Sequence, residues 1–221
     1  MIKPKQYILE ATNRCNLQCR YCPSVENTGK FPVGDMSVEF FKSIVDRIAA
    51  ESPESTVIPW ANGEPFLHPK YFEMMAYLNS KGLRYYVTTN LTIWREDVLR
   101  ELLRHGSGCY QLIISMDGLF GSGNIARARP GTDEELLRRN IGRLIALKEE
   151  ISSETELAFK ICRRGQDYGR SSGTSSTGWR TPVLTSLSWG MRLWERTTTR
   201  CGQTPASTST PILWSFAGLA M

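Results

Sequence analysis

Over residues 6–162 the chain switches repeatedly between two hydrophobic periods, and that alternation limits the fold more than any other feature. Residues 6–12 read as a short strand carrying Tyr7, Ile8 and Leu9. Residues 37–50 (SVEFFKSIVDRIAA) place Phe40, Phe41, Ile44, Val45 and Ile48 on one helical stripe, with Ser37 as N-cap and Glu39 in the first turn. A strand over 55–60 leads into Ala61-Asn62-Gly63-Glu64-Pro65, and a helix over 70–81 is stopped by Gly82. Residues 83–89 (LRYYVTT) are β-branched and aromatic, hence a strand. Residues 95–105 are amphipathic and end at Gly106, and 109–116 (CYQLIISM) resemble a strand buried on both faces of a parallel sheet. Thr132-Asp133-Glu134-Glu135 reads as a capping box opening a helix to about Glu150. A fifth strand follows at 156–162. Strands separated in this way by helices make βαβ units, a parallel sheet and an α/β fold. The pattern leaves open whether the sheet is doubly wound or closes toward a barrel.

Three cysteines follow the first strand in the run Thr12-Asn13-Arg14-Cys15-Asn16-Leu17-Gln18-Cys19-Arg20-Tyr21-Cys22-Pro23. Three thiolates hold three irons of a 4Fe-4S cluster that normally takes four cysteines, which leaves one iron open to a substrate or cosubstrate. A zinc knuckle instead wants four tetrahedral ligands, usually as two pairs. No second pair exists, because Cys109, Cys162 and Cys201 are isolated. Cys109 and Cys162 lie on apolar strands and read as small buried hydrophobes. A disulfide framework does not suit a chain that opens Met-Ile-Lys-Pro-Lys without an apolar signal segment, and a reducing cytoplasm keeps thiols free. The competing reading is a nonenzymatic metal-binding protein, either a zinc module or an inactive cluster carrier.

The C-x3-C-x2-C spacing, with aromatic Tyr21 before the third cysteine, resembles the radical S-adenosylmethionine (SAM) superfamily. The resemblance implies a partial (β/α)6 TIM-like barrel with its site at the C-terminal ends of the strands. It implies Cys15, Cys19 and Cys22 as ligands of a 4Fe-4S cluster whose open iron is chelated by SAM, with Tyr21 beside the adenine. A reductase such as flavodoxin or ferredoxin would supply an electron, and the resulting 5′-deoxyadenosyl radical would abstract hydrogen from a substrate.

The loop Asn62-Gly63-Glu64-Pro65 resembles the family's GGEP motif, which implies that a carboxylate and backbone carbonyls hold the SAM ammonium. Asn62 replaces the first glycine, a change that asparagine's tolerance of positive φ would absorb. Thr88-Thr89-Asn90 resembles a T-N-G segment with Leu91 in place of glycine, and Asn90 faces either the site or a plain turn. In Ser115-Met116-Asp117-Gly118 the resemblance assigns Ser115, then Asp117, to the SAM ribose. Arg127, Arg129 and Pro130-Gly131 resemble a segment that covers substrate in relatives. Arg163, after the fifth strand, would pair with the SAM carboxylate. His68 reads as structural, at a helix start. Around the cysteines and the SMDG loop the resemblance is closest to the branch that modifies peptides and proteins.

No apolar run among the 221 residues approaches the ~20 needed to span a bilayer, so the expectation is a cytoplasmic protein without a membrane. The net charge of +5 does not argue for nucleic acid, because residues 1–162 balance at 20 basic and 20 acidic residues. The whole excess lies in the last 59 residues, which hold seven Arg, no Lys, 19 Ser and Thr, and four of the six tryptophans. Disorder-prone segments are usually poor in aromatics and rich in Lys and Glu, so this composition is not of that kind. The chain thus divides into a core over 1–168, incomplete after its fifth strand, and an atypical tail over 169–221. From Arg170 onward neither period is visible, and the apolar end 211–221 reads as an exposed patch. Codons chosen for 169–221, read one nucleotide earlier, give an acidic helix start, an amphipathic helix and a cysteine beside proline. The tail therefore reads as a frameshift product.

Overall fold

The computed structural model describes residues 3–26 and 29–162, together with the backbone of Arg192–Leu193 and Pro211–Phe216. In chain order the elements of the core are β1 (Gln6–Ile8), α1 (Pro23–Glu26), α2 (Val38–Glu51), β2 (Thr56–Ile58), α3 (Tyr71–Ser80), β3 (Arg84–Thr89), α4 (Glu96–Leu103), β4 (Cys109–Ser115), α5 (Asn124–Ala128), α6 (Glu134–Ile151) and β5 (Glu156–Cys162). The five strands are parallel and lie side by side in sequence order. A doubly wound sheet reverses its order at a switch point. This one does not, and right-handed crossovers then leave α2, α3, α4 and α6 on one face.

That face is the core. Val57, Tyr85, Val87, Leu112, Ile114 and Leu157 point toward α2, α3, α4 and α6, and meet Phe41, Met74, Leu78, Leu99 and Leu144. Neighbouring helices pack in turn, α2 on α3, α3 on α4 and α4 on α6. The other face of the sheet is the one that a partial barrel would enclose. Fully burying a Leu, Val or Phe contributes about 1.5–3 kcal/mol, so the strand–helix layer accounts for most of what fixes the strand ends.

Local chemistry sets the boundaries. Ser37 caps α2 by accepting from the Phe40 N–H at 3.2 Å, as its sequence position implies. The cap of α6 is Asp133, whose carboxylate accepts from the Glu135 and Leu136 N–H groups at 2.9 and 3.0 Å, so the capping box begins one residue later than Thr132. Gly82 and Gly106 take positive φ at the ends of α3 and α4. Phe40 departs from the expected stripe: α2 buries Val38, Phe41, Val45 and Ile48, while Phe40 is 58% exposed. β2 is shorter than 55–60 because Pro59 has no N–H to continue the ladder. The segment after β4 contains α5.

Beyond the core, β6 (Arg192–Leu193) and β7 (Pro211–Phe216) extend the sheet, β7 antiparallel to β5 and β6 antiparallel to β7. The expectation of no strand after Arg170 is corrected there. An edge strand presents unpaired N–H and C=O groups, and the apolar, β-compatible run PILWSF supplies a partner for the edge of β5.

Candidate functional site

The cysteine loop follows β1 and is tied to the C-terminal ends of the three strands beyond it. Its first tie is to the loop after β2. The Glu64 N–H donates to the Arg14 carbonyl at 2.7 Å, and the Asn62 N–H donates to the Glu10 carboxylate at 2.8 Å. Gly63 passes so close to the cysteine loop that an added Cβ would overlap the Thr12 carbonyl oxygen and stand 2.8 Å from that of Arg14. Only glycine fits that crossing. Asn62 needs no left-handed backbone: among the described residues, the non-glycine residues with positive φ are Leu91, Asp117 and Ser152.

Glu64 is 3% exposed, and its carboxylate turns into the fold. Oε1 accepts from the Thr89 hydroxyl at 2.7 Å and the Phe66 N–H at 3.2 Å, and Oε2 accepts from the Asn90 N–H at 2.7 Å. The side chain expected to hold a SAM ammonium joins the ends of β2 and β3, because Thr89 and Asn90 present two donors one strand away. Burial raises its pKa, and the hydrogen bonds from Asn90, Thr89 and Phe66 oppose that. Pro65 opens a buried 3-10 turn, Pro65–Leu67, capped by Glu64 itself.

The second tie runs to the end of β3. Asn90 Nδ2 donates to Asn16 Oδ1 at 3.0 Å, and Asn16 Nδ2 donates to Thr92 Oγ1 at 2.9 Å. Asn90 Oδ1 accepts from the Thr92 N–H and hydroxyl. Leu91, in place of the motif's glycine, holds φ 53° and is fully buried. The third tie comes from beyond β4, where the Gln18 and Arg20 N–H groups donate to the Pro130 and Ala128 carbonyls at 3.5 and 3.1 Å. Ser115 is buried at the end of β4, beside Lys160 of β5 in register. Asp117, the second ribose candidate, is ion-paired with Arg129.

Within the loop, Cys15 is exposed, Cys19 is 6% exposed and Cys22 is intermediate. The Cys22 N–H donates to the Cys19 carbonyl at 3.0 Å, and Tyr21 lies in that turn, ahead of α1. Burial pushes the Cys15 thiol up and the Cys19 thiol up to about 11, and the Arg129 guanidinium pulls both down. Among the described residues no three His, Cys, Asp or Glu side chains are grouped to hold a single metal ion. A tetrahedral zinc with 2.3 Å bonds needs its thiolates about 4 Å apart. A 4Fe-4S cluster instead takes one thiolate per iron, and Cys15, Cys19 and Cys22 are the donor set that would hold three of its irons.

The Radical SAM superfamily model matches residues 9–150, which run from just after β1 almost to the end of α6 and include all three cysteines. The chain belongs to the radical SAM superfamily. The superfamily's cofactors are a 4Fe-4S cluster and SAM. Among curated radical SAM relatives, the tungsten-containing aldehyde ferredoxin oxidoreductase cofactor-modifying protein of Pyrococcus furiosus is 29% identical over 153 residues, 67% of this chain and 40% of its own length. The antilisterial bacteriocin subtilosin biosynthesis protein AlbA of Bacillus subtilis is 34% identical over 116 residues, 52% of this chain and 25% of its own. The crystal structure of Streptococcus suis SuiB bound to S-adenosylmethionine shares the fold at TM-score 0.54 and 12% identity, over 65% of this chain and 32% of SuiB. The chain thus spans well under half the length of these radical SAM proteins.

The residues expected at the site separate into two groups. Cys15, Cys19, Cys22, Tyr21, Asn62, Gly63, Glu64, Pro65, Asn90, Ser115 and Asp117 lie on the cysteine loop or at the ends of β2, β3 and β4. Arg163 lies outside the described residues. Sequence reading passed over Asn16, Thr89, Thr92 and Glu10, which carry the ties, and placed Arg129 over substrate rather than against Asp117. Thr89 was legible as half of a T-T-N repeat, whereas nothing local marks Asn16 or Glu10. His68 is structural, with Nε2 3.0 Å from the Met36 carbonyl and Nδ1 accepting from the Lys70 N–H.

Proposed function

We propose that this chain is a radical SAM enzyme core that generates a 5′-deoxyadenosyl radical and directs it at a peptide or protein substrate. The observation that carries the reading is the set of three ties, which fixes a three-cysteine loop over the C-terminal ends of β2, β3 and β4. Cys15, Cys19 and Cys22 would hold the cluster, which would supply the one electron that cleavage of SAM's C5′–S bond to methionine and the radical requires.

The chain's own residues prepare the place. Glu64 and Thr89 hold the loop Asn62–Pro65 so that its backbone, rather than the carboxylate, is left for the SAM ammonium. Tyr21 stands for the adenine side and Ser115 for the ribose side, with Arg163 as the carboxylate partner. On the sheet face away from the helices, Thr88 Oγ1 and Trp60 Nε1 are buried donors without a hydrogen-bond partner. Trp60 stacks edge-on with Tyr86, and Tyr86 with Tyr110. A buried donor left unmade costs about 1–3 kcal/mol, which an acceptor on a ligand would recover. Amide carbonyls are such acceptors. The name of AlbA supports a peptide, since a bacteriocin biosynthesis protein acts toward a peptide product.

A flavodoxin- or ferredoxin-type reductase would supply the electron in a cytoplasm reducing enough to keep the thiols free. Among the described residues no helix is long and apolar enough to cross a membrane. The test is anaerobic reconstitution with iron and sulfide, then reduction in the presence of SAM. Cluster uptake with release of 5′-deoxyadenosine is the expected result. Stoichiometric zinc and no SAM cleavage would overturn the reading in favour of a nonenzymatic metal module.

A further inference from the structure

β1 is an edge of the sheet: β2 lies on one side of it and no described strand on the other, while β7 and β6 extend the opposite edge. The Leu9 N–H donates to the Ile58 carbonyl and the Thr56 N–H to that of Lys5, so residues 5, 7 and 9 turn their backbone groups toward β2. In a parallel ladder alternate residues bond to one neighbour, which leaves the N–H and C=O groups of Gln6, Ile8 and Glu10 directed outward. Past Ala11 the edge is already taken. The Met36 N–H donates to the Ala11 carbonyl at 2.8 Å and the Asn13 N–H to that of Gly34 at 3.3 Å, and residues 34–36 run antiparallel to 11–13 there. Where the open stretch meets this segment and the first turn of α2, Glu10, Pro32, Met36 and Phe40 line a groove of about 420 Å³. Ile8 on the edge and Val33 ahead of α2 are 64% and 70% exposed. Asp35 in the groove is paired with Arg14. The Glu10 carboxylate accepts from the Asn62 N–H at 2.8 Å and forms no ion pair among the described residues.

We propose that the open edge of β1 binds an extended peptide as an added strand, with an apolar side chain in the groove and one basic side chain at Glu10. The inference rests on the peptide reading above and adds where such a substrate is gripped. A row of outward N–H and C=O groups is matched by another extended backbone, and side-chain pockets beside the row then supply the selectivity. Tyr7 and Leu9 pack toward the core, so Ile8 and Glu10 lie on the opposite face, and an added strand presents alternate residues to the two. Charge limits the peptide further. Glu10 attracts a cation at one end of the strand, while Lys3 and Lys5 stand exposed at the other and disfavour a second one. A second copy of this chain is a poorer occupant, because pairing through the three residues Gln6–Ile8 falls well short of the about 1,200 Å² of a stable interface. Through Asn62, Glu10 also joins the groove to the loop at the end of β2, so a strand held here adjoins the site already described.

The test is a calorimetric titration of the full chain, reconstituted anaerobically, with a blocked hexapeptide of alternating valine and threonine that carries one lysine. Hydrogen–deuterium exchange over residues 5–11 is followed in parallel. Binding with slowed exchange there is the expected result. The same peptide N-methylated throughout is expected not to bind, and one with glutamate for lysine to bind about tenfold more weakly. Ile8→Pro removes an outward N–H at an edge, where proline is tolerated, and is expected to weaken binding about tenfold. Glu10→Gln keeps an acceptor for the Asn62 N–H and is expected to bring the lysine and glutamate peptides to the same affinity. No binding, equal binding of the N-methylated peptide, or equal binding of the two charged peptides by the parent overturns the proposal. Protection of residues 5–11 that rises with protein concentration in the absence of peptide also overturns it, in favour of a second copy. If Ile8→Pro fails to fold, the N-methylated peptide decides the backbone pairing by itself. SAM cleavage without peptide binding refutes this inference alone, whereas peptide binding by a chain that takes up no cluster refutes the radical reading and leaves the strand site standing.

Discussion

Replacing Glu64 with glutamine tests whether the buried carboxylate is the clasp between β2 and β3. The substitution keeps the size and removes one acceptor. In the parent, Oε1 faces Thr89 Oγ1 and the Phe66 N–H, and Oε2 faces the Asn90 N–H. A glutamine amide must put its NH2 on one side or the other. Toward Asn90, it meets the backbone N–H from which the carboxylate accepts. Toward Phe66, it meets another N–H, and the Thr89 hydroxyl must turn although it already accepts from the Leu91 N–H at 3.0 Å. Either orientation sets at least one buried donor against another, which costs about 1–3 kcal/mol. Removing a buried negative charge offsets part of that, because burial already raises the Glu64 pKa and so marks its ionised form as strained.

The expected net loss is about 2 kcal/mol, or about 4–8 °C in Tm for a chain of this size. Thermal unfolding by circular dichroism reads the stability, and calorimetric titration of SAM onto the reconstituted protein reads the loop. SAM affinity is expected to fall roughly tenfold while iron and sulfide content hold, because the Arg14–Glu64 bond is a backbone one and survives the change. An unchanged Tm together with unchanged SAM affinity would refute the clasp.

Gly63→Ala has no comparable escape: its Cβ meets backbone on two sides, so a loss of about 3 kcal/mol or more and failure to take up a cluster are expected by Tm and iron analysis. Cys19→Ala leaves two thiolates, and iron and sulfide after reconstitution should drop to background; a full cluster would rule out the ligand assignment. Leu91→Gly relieves a left-handed leucine, worth about 1–2 kcal/mol, but deletes a fully buried side chain worth about 2–5 kcal/mol, so Tm should fall rather than rise. Sequencing the gene and its close relatives should show that reading one nucleotide earlier from about codon 169 restores a continuous core; an intact frame with the same Ser/Thr/Trp tail in relatives would sink the frameshift proposal.

The strand and helix order was legible because each element of the core carries its own period, and five strands with four intervening helices admit few topologies. What escaped were the ends. Phe40 and Phe41 are adjacent and equally apolar, and the stripe alone does not say which faces α3; the packed helix buries Phe41 and leaves Phe40 out. Thr132 and Asp133 are both good caps, and the choice fell to Asp133 because its carboxylate reaches two N–H groups at once. The strand over 211–216 escaped for a different reason: its pairing depends on the open edge of β5, which no window of sequence around 211 contains.

The site shows the same division at the level of single atoms. Cysteine spacing and the N-G-E-P turn are local, so a sequence displays them, and the fold brings them together as expected at the strand ends. The roles of Glu64 and Asp117 are not local. Glu64 and Asp117 are expected at SAM through the resemblance of their motifs, and in the structure each has a partner from another strand or loop, Glu64 in Thr89 and Asn90, Asp117 in Arg129. A buried carboxylate is tolerated only with its lone pairs filled, so depth beneath the rim decides whether it greets a ligand or braces the loop that does. Motif residues just under such a rim are therefore to be read first as braces, and the ligand's contacts sought in the backbone they hold in place.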